Sequence, residues 1–131
     1  MSEPIYTPIH THSAPAAIGP YSQAIRHGNT VYISGQIPLD PDTMELVSDD
    51  FSAQANQVFE NLSALCIAAG SDINAVLKFT VYLTDFANFS VVNDIMAGYL
   101  KEPYPARAAI EVSALPKGAL IEADAILAVD H

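Results

Sequence analysis

The chain has 131 residues, half of them apolar, and carries 15 Asp and Glu against 5 Lys and Arg, a formal charge of −10. That length fits one domain, residues 1–131, with enough apolar matter for a real core. The negative field repels phosphate backbones, and the cations are scattered as Arg26, Lys78, Lys101, Arg107 and Lys117, so nucleic-acid binding is disfavoured. No apolar run approaches the ~20 residues of a membrane span. The N-terminus lacks the basic and apolar regions of a secretory signal. The lone Cys66 excludes an internal disulfide and suits a reducing compartment, so the expected location is the cytoplasm, away from membranes.

In chain order, residues 1–17 read as an irregular or edge segment carrying His10 and His12. Residues 18–22 (IGPYS) form a turn-prone entry. A short strand is expected over 22–26, then a hairpin turn at His27-Gly28-Asn29, where Gly and Asn tolerate positive φ. Residues 30–34 (TVYIS) are β-branched and aromatic, hence a strand, ended by Gly35. Residues 37–50 carry Pro38, Pro41 and five acidic residues and read as a surface loop.

Asp49 or Asp50 should cap a long helix. Phe51, Ala55, Val58, Leu62, Leu65 and Ala69 recur at helical spacing, and Gly70 stops it. Cys66 beside that stripe reads as a small buried hydrophobe rather than a nucleophile, because no positive charge is near it in sequence. Residues 76–84 alternate: Leu77, Phe79, Val81 and Leu83 are expected on one face, Lys78, Thr80, Tyr82 and Thr84 on the other. Asn88 should cap a second helix with Phe89, Val92, Met96 and Tyr99 inward, ended by Pro103 and Pro105. Strands over 106–115 and 119–129 follow, separated by Pro116-Lys117-Gly118.

This pattern predicts an α+β domain with both helices on one face of the sheet. The other face, with Lys78, Thr80 and Tyr82, is left largely uncharged, which predicts oligomerisation.

Two charges stand out. Arg107 lies in an apolar strand pattern, and Glu122 is flanked by Leu120, Ile121, Ala123 and Ala125. Neither is buried cheaply without a partner. Arg107 is either half of a structural ion pair, with Glu111 or Glu122, or a planar fork for a carboxylate ligand. Glu122 is either a solvent-facing strand residue or a carboxyl whose apolar surroundings raise its proton affinity, able to orient or deprotonate water. Asp124 shares its strand face and could do some of that work. The histidines lack ligand spacing with Cys66 or one another, so surface or terminal roles are favoured over a metal site; His10 and His12 would share a face only if their segment were a strand.

Several stretches, taken together and in order, resemble the Rid/YjgF family, and within it the RidA branch of reactive intermediate deaminases. They are APAAIGPYSQA at 14–24, VYISGQIPLDP at 31–41, PAR at 105–107, LPK at 115–117 and IE at 121–122. The resemblance implies a bacterial chorismate mutase-like fold, β-α-β-α-β-β after a leading hairpin, with strand order 1-4-2-3. It implies a homotrimer with clefts between subunits, and hydrolysis of enamines and imines such as 2-aminoacrylate to 2-keto acids and ammonia, without metal or organic cofactor.

By the same resemblance, Arg107 holds the substrate carboxylate, Glu122 handles water and protons, and Tyr21 borders the site. Ser34, Gly35, Ala109 and Asn93 fall at substrate-binding positions. Ala109 stands where some members carry cysteine, Met44 where glycine is usual and Met96 where an aromatic is common. The alternative function is a non-catalytic protein that binds a 2-keto acid in the same cleft. Ribonuclease activity fits the acidic charge poorly, and chorismate mutase activity rests on fold analogy alone.

Overall fold

The computed structural model describes residues 5–130. Its strands are β1 (Thr7–Ile9), β2 (Ala24–His27), β3 (Thr30–Gln36), β4 (Val76–Leu83), β5 (Ala106–Glu111) and β6 (Ile121–Ala128). Helix α1 (Phe51–Ala68) precedes β4, and α2 (Phe89–Tyr99) precedes β5. The six strands form one mixed sheet in the order β1-β2-β3-β6-β4-β5, parallel only between β4 and β5. With β1 and β2 set aside, β3-β6-β4-β5 is the 1-4-2-3 order that the resemblance implied.

The α1 stripe behaves as its spacing requires. Ala55, Val58, Leu62 and Leu65 are fully buried, and Phe59 packs edge-to-face on Phe79 of β4, with ring centroids 5.7 Å apart. Asp50 is the N-cap, its carboxylate accepting from the Ala53 N–H at 3.0 Å. Beyond the C-terminus Gly70 takes φ +85°, and the Ser71 N–H bonds the Cys66 carbonyl. Cys66 is buried, and burial pushes its thiol up to about 12, which suits a packing role.

Both helices cover one face, beneath which Ile121, Ala123, Ala125 and Leu127 of β6 are buried, while Glu122, Asp124, Ile126 and Ala128 between them are half-exposed. The open face carries Lys78, Thr80 and Tyr82, as expected, and also Tyr32 and Ile110, at 50% and 45% exposure. Among the described residues, no helix is long and apolar enough to cross a membrane.

The structure corrects several expectations. Of the two readings of residues 1–17, the edge one holds over Thr7–Ile9, which form the edge strand β1. β3 does not end at Gly35 but continues to Gln36 through a register shift against β6. A second irregularity, between Val76 and Lys78, turns Val76 into the core and leaves Leu77 52% exposed, so the expected alternation holds only from Lys78 onwards. β5 stops at Glu111, short of residue 115. Asn88 makes no side-chain cap; Asp85 instead accepts from the Ala87 N–H at 2.9 Å, in a 3-10 turn that runs into α2.

Met44, where the resemblance implies glycine, takes φ +61°. A side chain in this left-handed region costs roughly 1–2 kcal/mol. Glycine accepts the conformation freely but loses more entropy on folding. Met44→Gly is therefore expected to stabilise the fold by about 1 kcal/mol in urea titrations.

Candidate functional site

Arg107 lies on the edge strand β5, level with Phe79 of β4, and its side chain runs under α2. Its Nη1 donates to Asn93 Oδ1 at 2.5 Å and lies 3.7 Å from Met96 Sδ, while the guanidinium sits 4.9 Å from the Phe89 ring centroid. The plane of the fork is thus set by three residues of one helix. It borders an open cavity of about 410 Å3 lined also by Tyr104 and Pro105.

Glu122 lies on β6 opposite Tyr82, so it projects from the open face. On its other flank is Gly35. A Cβ built on Gly35 would fall within 2.2 Å of Glu122 Oε2, so the carboxyl packs over bare backbone. Burial first, and then the charge of Asp124, push the Glu122 carboxyl above the usual carboxylate range. A second cavity, about 230 Å3, is lined by Gly35, Tyr21, Ile18, Leu39, Met44 and Lys117 among others. Tyr21 stands at its rim, half exposed, with its hydroxyl oxygen accepting from the Ile18 N–H at 3.3 Å.

Within one protomer these are two separate groups. Phe79, level with Arg107, is buried beneath the helices, whereas Tyr82, level with Glu122, is on the open face. Arg107 and Glu122 therefore leave opposite faces of the sheet, which removes an ion pair between them inside the protomer. Glu111, the other carboxylate considered for Arg107, instead accepts from the Phe86 N–H at 3.0 Å.

Ala109 is half-buried on the Arg107 face, next to Val81. Asn93 reaches Arg107, so its amide oxygen serves the guanidinium. Ser34 donates its hydroxyl to the Ser22 carbonyl at 2.6 Å, and its N–H to Gln23, which commits both donors to the fold. His10 and His12 rings meet edge-to-face at 4.8 Å, and no group of three or more potential metal-binding side chains occurs among the described residues.

Sequence reasoning missed the buried amides that tie the loops to the core, of which Gln23 also lines the second cavity. Gln23 binds the carbonyls of Thr11, Ala14 and Pro15, Gln54 ties Ser48 to Leu120, and Asn61 binds the Leu39 carbonyl. Their signal was present: amide side chains embedded in apolar patterns need buried partners.

Residues 11–129 match the model of the family described as Endoribonuclease L-PSP, which is the Rid/YjgF family. The chain belongs to that family. It is 48% identical over 126 residues to the human 2-iminobutanoate/2-iminopropanoate deaminase, covering 96% of this chain and 92% of that one. A RutC family protein of Pyrococcus horikoshii is 52% identical over 118 residues, covering 90% and 94%. The crystal structure of RidA from an Antarctic Psychrobacter superposes with a TM-score of 0.91 at 56% identity, covering 94% of this chain and 99% of that one. The fold is thus that of the Rid family, and relatives that share it carry more than one functional name.

Proposed function

We propose that this Rid-family chain hydrolyses enamine and imine intermediates, such as 2-aminoacrylate, 2-iminopropanoate and 2-iminobutanoate, to 2-keto acids and ammonia. The reading has it do so as a homotrimer in which Arg107 and Ala109 of one protomer face Tyr21, Gly35 and Glu122 of the next. One observation carries it: a guanidinium whose plane is fixed at one cavity, and a half-buried carboxyl beside Gly35, leave opposite faces of the sheet, so neither reaches the other within a protomer. A substrate with a carboxylate beside its C=N carbon needs both groups at once, and apposed copies supply both.

In this mechanism the Arg107 fork holds the substrate carboxylate in two parallel hydrogen bonds. An enamine takes the Glu122 proton at C3, which leaves an iminium at C2. Water adds to C2 and gives its proton to the Glu122 carboxylate, forming a carbinolamine. Glu122 returns this proton to the carbinolamine nitrogen, the C2–N bond breaks with its electrons on nitrogen, and the hydroxyl proton passes back to the Glu122 carboxylate. Ammonia leaves, the hydroxyl becomes the keto oxygen, and one water has been consumed.

A coupled assay tests the activity. A PLP-dependent dehydratase acting on serine or threonine generates the intermediates, and this protein should accelerate the release of keto acid and ammonia. An unchanged rate overturns the reading, and keto-acid binding without turnover would leave a binding protein in its place. Gly35→Ala should leave the unfolding midpoint nearly unchanged, because the clash is with the far end of a flexible side chain. Turnover should nevertheless fall about a hundredfold, since displacing a reacting group by about 1 Å costs on that order.

A further inference from the structure

The reaction above begins with a proton on Glu122, and the groups around that carboxyl decide whether one is there. On β6 its neighbour is Asp124, two residues on and on the same face, about 6.6 Å away along the strand. On β4 it faces Tyr82, and Lys78 lies opposite Ile126, about 13 Å further along. On β3 it abuts Gly35, which has no charge to offer. In the neighbouring cavity are Tyr21 and Lys117, and the Lys117 ammonium donates to the Met44 carbonyl at 3.1 Å. Asp124 is therefore the formal charge nearest Glu122 in the sheet.

Tyr82 stands directly across from Glu122, yet its hydroxyl reaches diagonally and donates to Asp124 Oδ2 at 3.0 Å. A hydrogen bond to an ionised acceptor favours the ionised form. Thr80, the residue directly across from Asp124, contributes no charge.

We propose that Tyr82 and Asp124 act as a positioning pair for Glu122: the tyrosine hydroxyl, donating to Asp124 Oδ2, fixes that carboxylate on the open face beside Glu122, and the charge held there opposes charge on Glu122. The use of the Glu122 proton in turnover rests on the deaminase reading; its placement does not. A carboxylate fixed on the same face disfavours charge on its neighbour. Burial first, and then Asp124, raise the proton affinity of Glu122, and Tyr82 remains a donor because burial and Asp124 raise its own hydroxyl as well.

The test follows carboxyl titration by carbon NMR in protein labelled at Glu and Asp, with Glu122→Gln identifying the Glu122 signal. In Asp124→Asn, which still offers Tyr82 an acceptor, the Glu122 midpoint should move down toward the ordinary carboxylate range. The alkaline limb of kcat should move with it, about tenfold in rate for each pH unit of movement, with KM changed by less than about twofold. Asp124→Glu should restore both. In Tyr82→Phe, which releases the Asp124 carboxylate, the Glu122 midpoint should move down as well. An unchanged Glu122 midpoint in Asp124→Asn overturns the proposal, even if activity falls equally at every pH. A shifted midpoint in protein without turnover upholds the pair and rejects the deaminase reading instead.

Discussion

Arg107→Ala is expected to lower turnover of 2-aminoacrylate about 10²- to 10⁴-fold. Each charge-assisted hydrogen bond lost to the substrate carboxylate removes roughly 1.5–3 kcal/mol, and the fork makes two of them. The loss should appear in kcat as well as KM, because the fork also orients the reacting carbon. The fold should survive. Arg107 is exposed on an edge strand, and its removal forfeits the Asn93 contact and the stacking on Phe89. The stacking is worth about 0.5–1 kcal/mol at an exposed site, so the unfolding free energy should drop by no more than about 1 kcal/mol. Arg107→Lys keeps the charge but not the planar pair of donors, and should recover only part of the activity. The proposed two-protomer arrangement predicts complementation. Arg107→Ala co-refolded with Glu122→Gln in equal amounts should regain about a quarter of wild-type activity, the share of interfaces that combine two intact halves in a closed ring. Activity retained by Arg107→Ala alone would refute the assignment.

Glu122→Gln should lower kcat about 10²- to 10⁴-fold, the usual worth of a positioned acid or base, and should leave substrate affinity nearly intact. Its effect on stability has the opposite sign. The folded state holds the Glu122 proton more tightly than the unfolded chain does, because burial and Asp124 oppose its charge. Unfolding therefore releases a proton, so stability falls as the pH rises above the ordinary carboxyl value of 4.5 and levels off only past the raised folded value. Glutamine cannot ionise and escapes that loss. Below pH 4.5 the two proteins should unfold alike, and at neutral pH Glu122→Gln should be the more stable. Denaturant midpoints across this range check the sign, and a variant less stable at neutral pH would contradict it. A gain in stability with a loss in rate is the pattern expected where a charge is kept for function.

Much of the architecture was legible because burial of a helix face or a strand face imposes a period. The α1 stripe from Phe51 to Leu65, the alternation of Phe79, Val81 and Leu83, and the acidic cap before α1 all follow from such local rules. The misreadings have physical causes too. Leu77 faces outward because a bulge shifts register, a choice made by strand pairing rather than by side-chain pattern. The turn before α2 is capped by Asp85 instead of Asn88, since a 3-10 turn precedes the helix. Gly35 looked like a strand end, whereas it is the point where β3 makes room for the Glu122 carboxyl.

The candidate site divides the same way. Arg107 and Glu122 were conspicuous as charges in apolar strands, and family motifs marked Tyr21, Gly35, Asn93 and Ala109. Nothing in the spacing revealed that Asn93, Met96 and Phe89 together fix the guanidinium, or that Ser34 spends its hydroxyl on Ser22. Those contacts join α2 to β5 and β3 to the segment before β2, and residues distant in sequence meet only once the sheet is assembled.

By itself, then, the amino-acid order determined the element types, the helix-covered face and the identity of the unusual charges, because each depends on short-range periodicity and on the cost of burying a polar group. Only the tertiary structure decided that Arg107 and Glu122 leave opposite faces and that Tyr82 turns to Asp124. Strand register sets those outcomes, and a shift of a single residue would send each side chain to the other face.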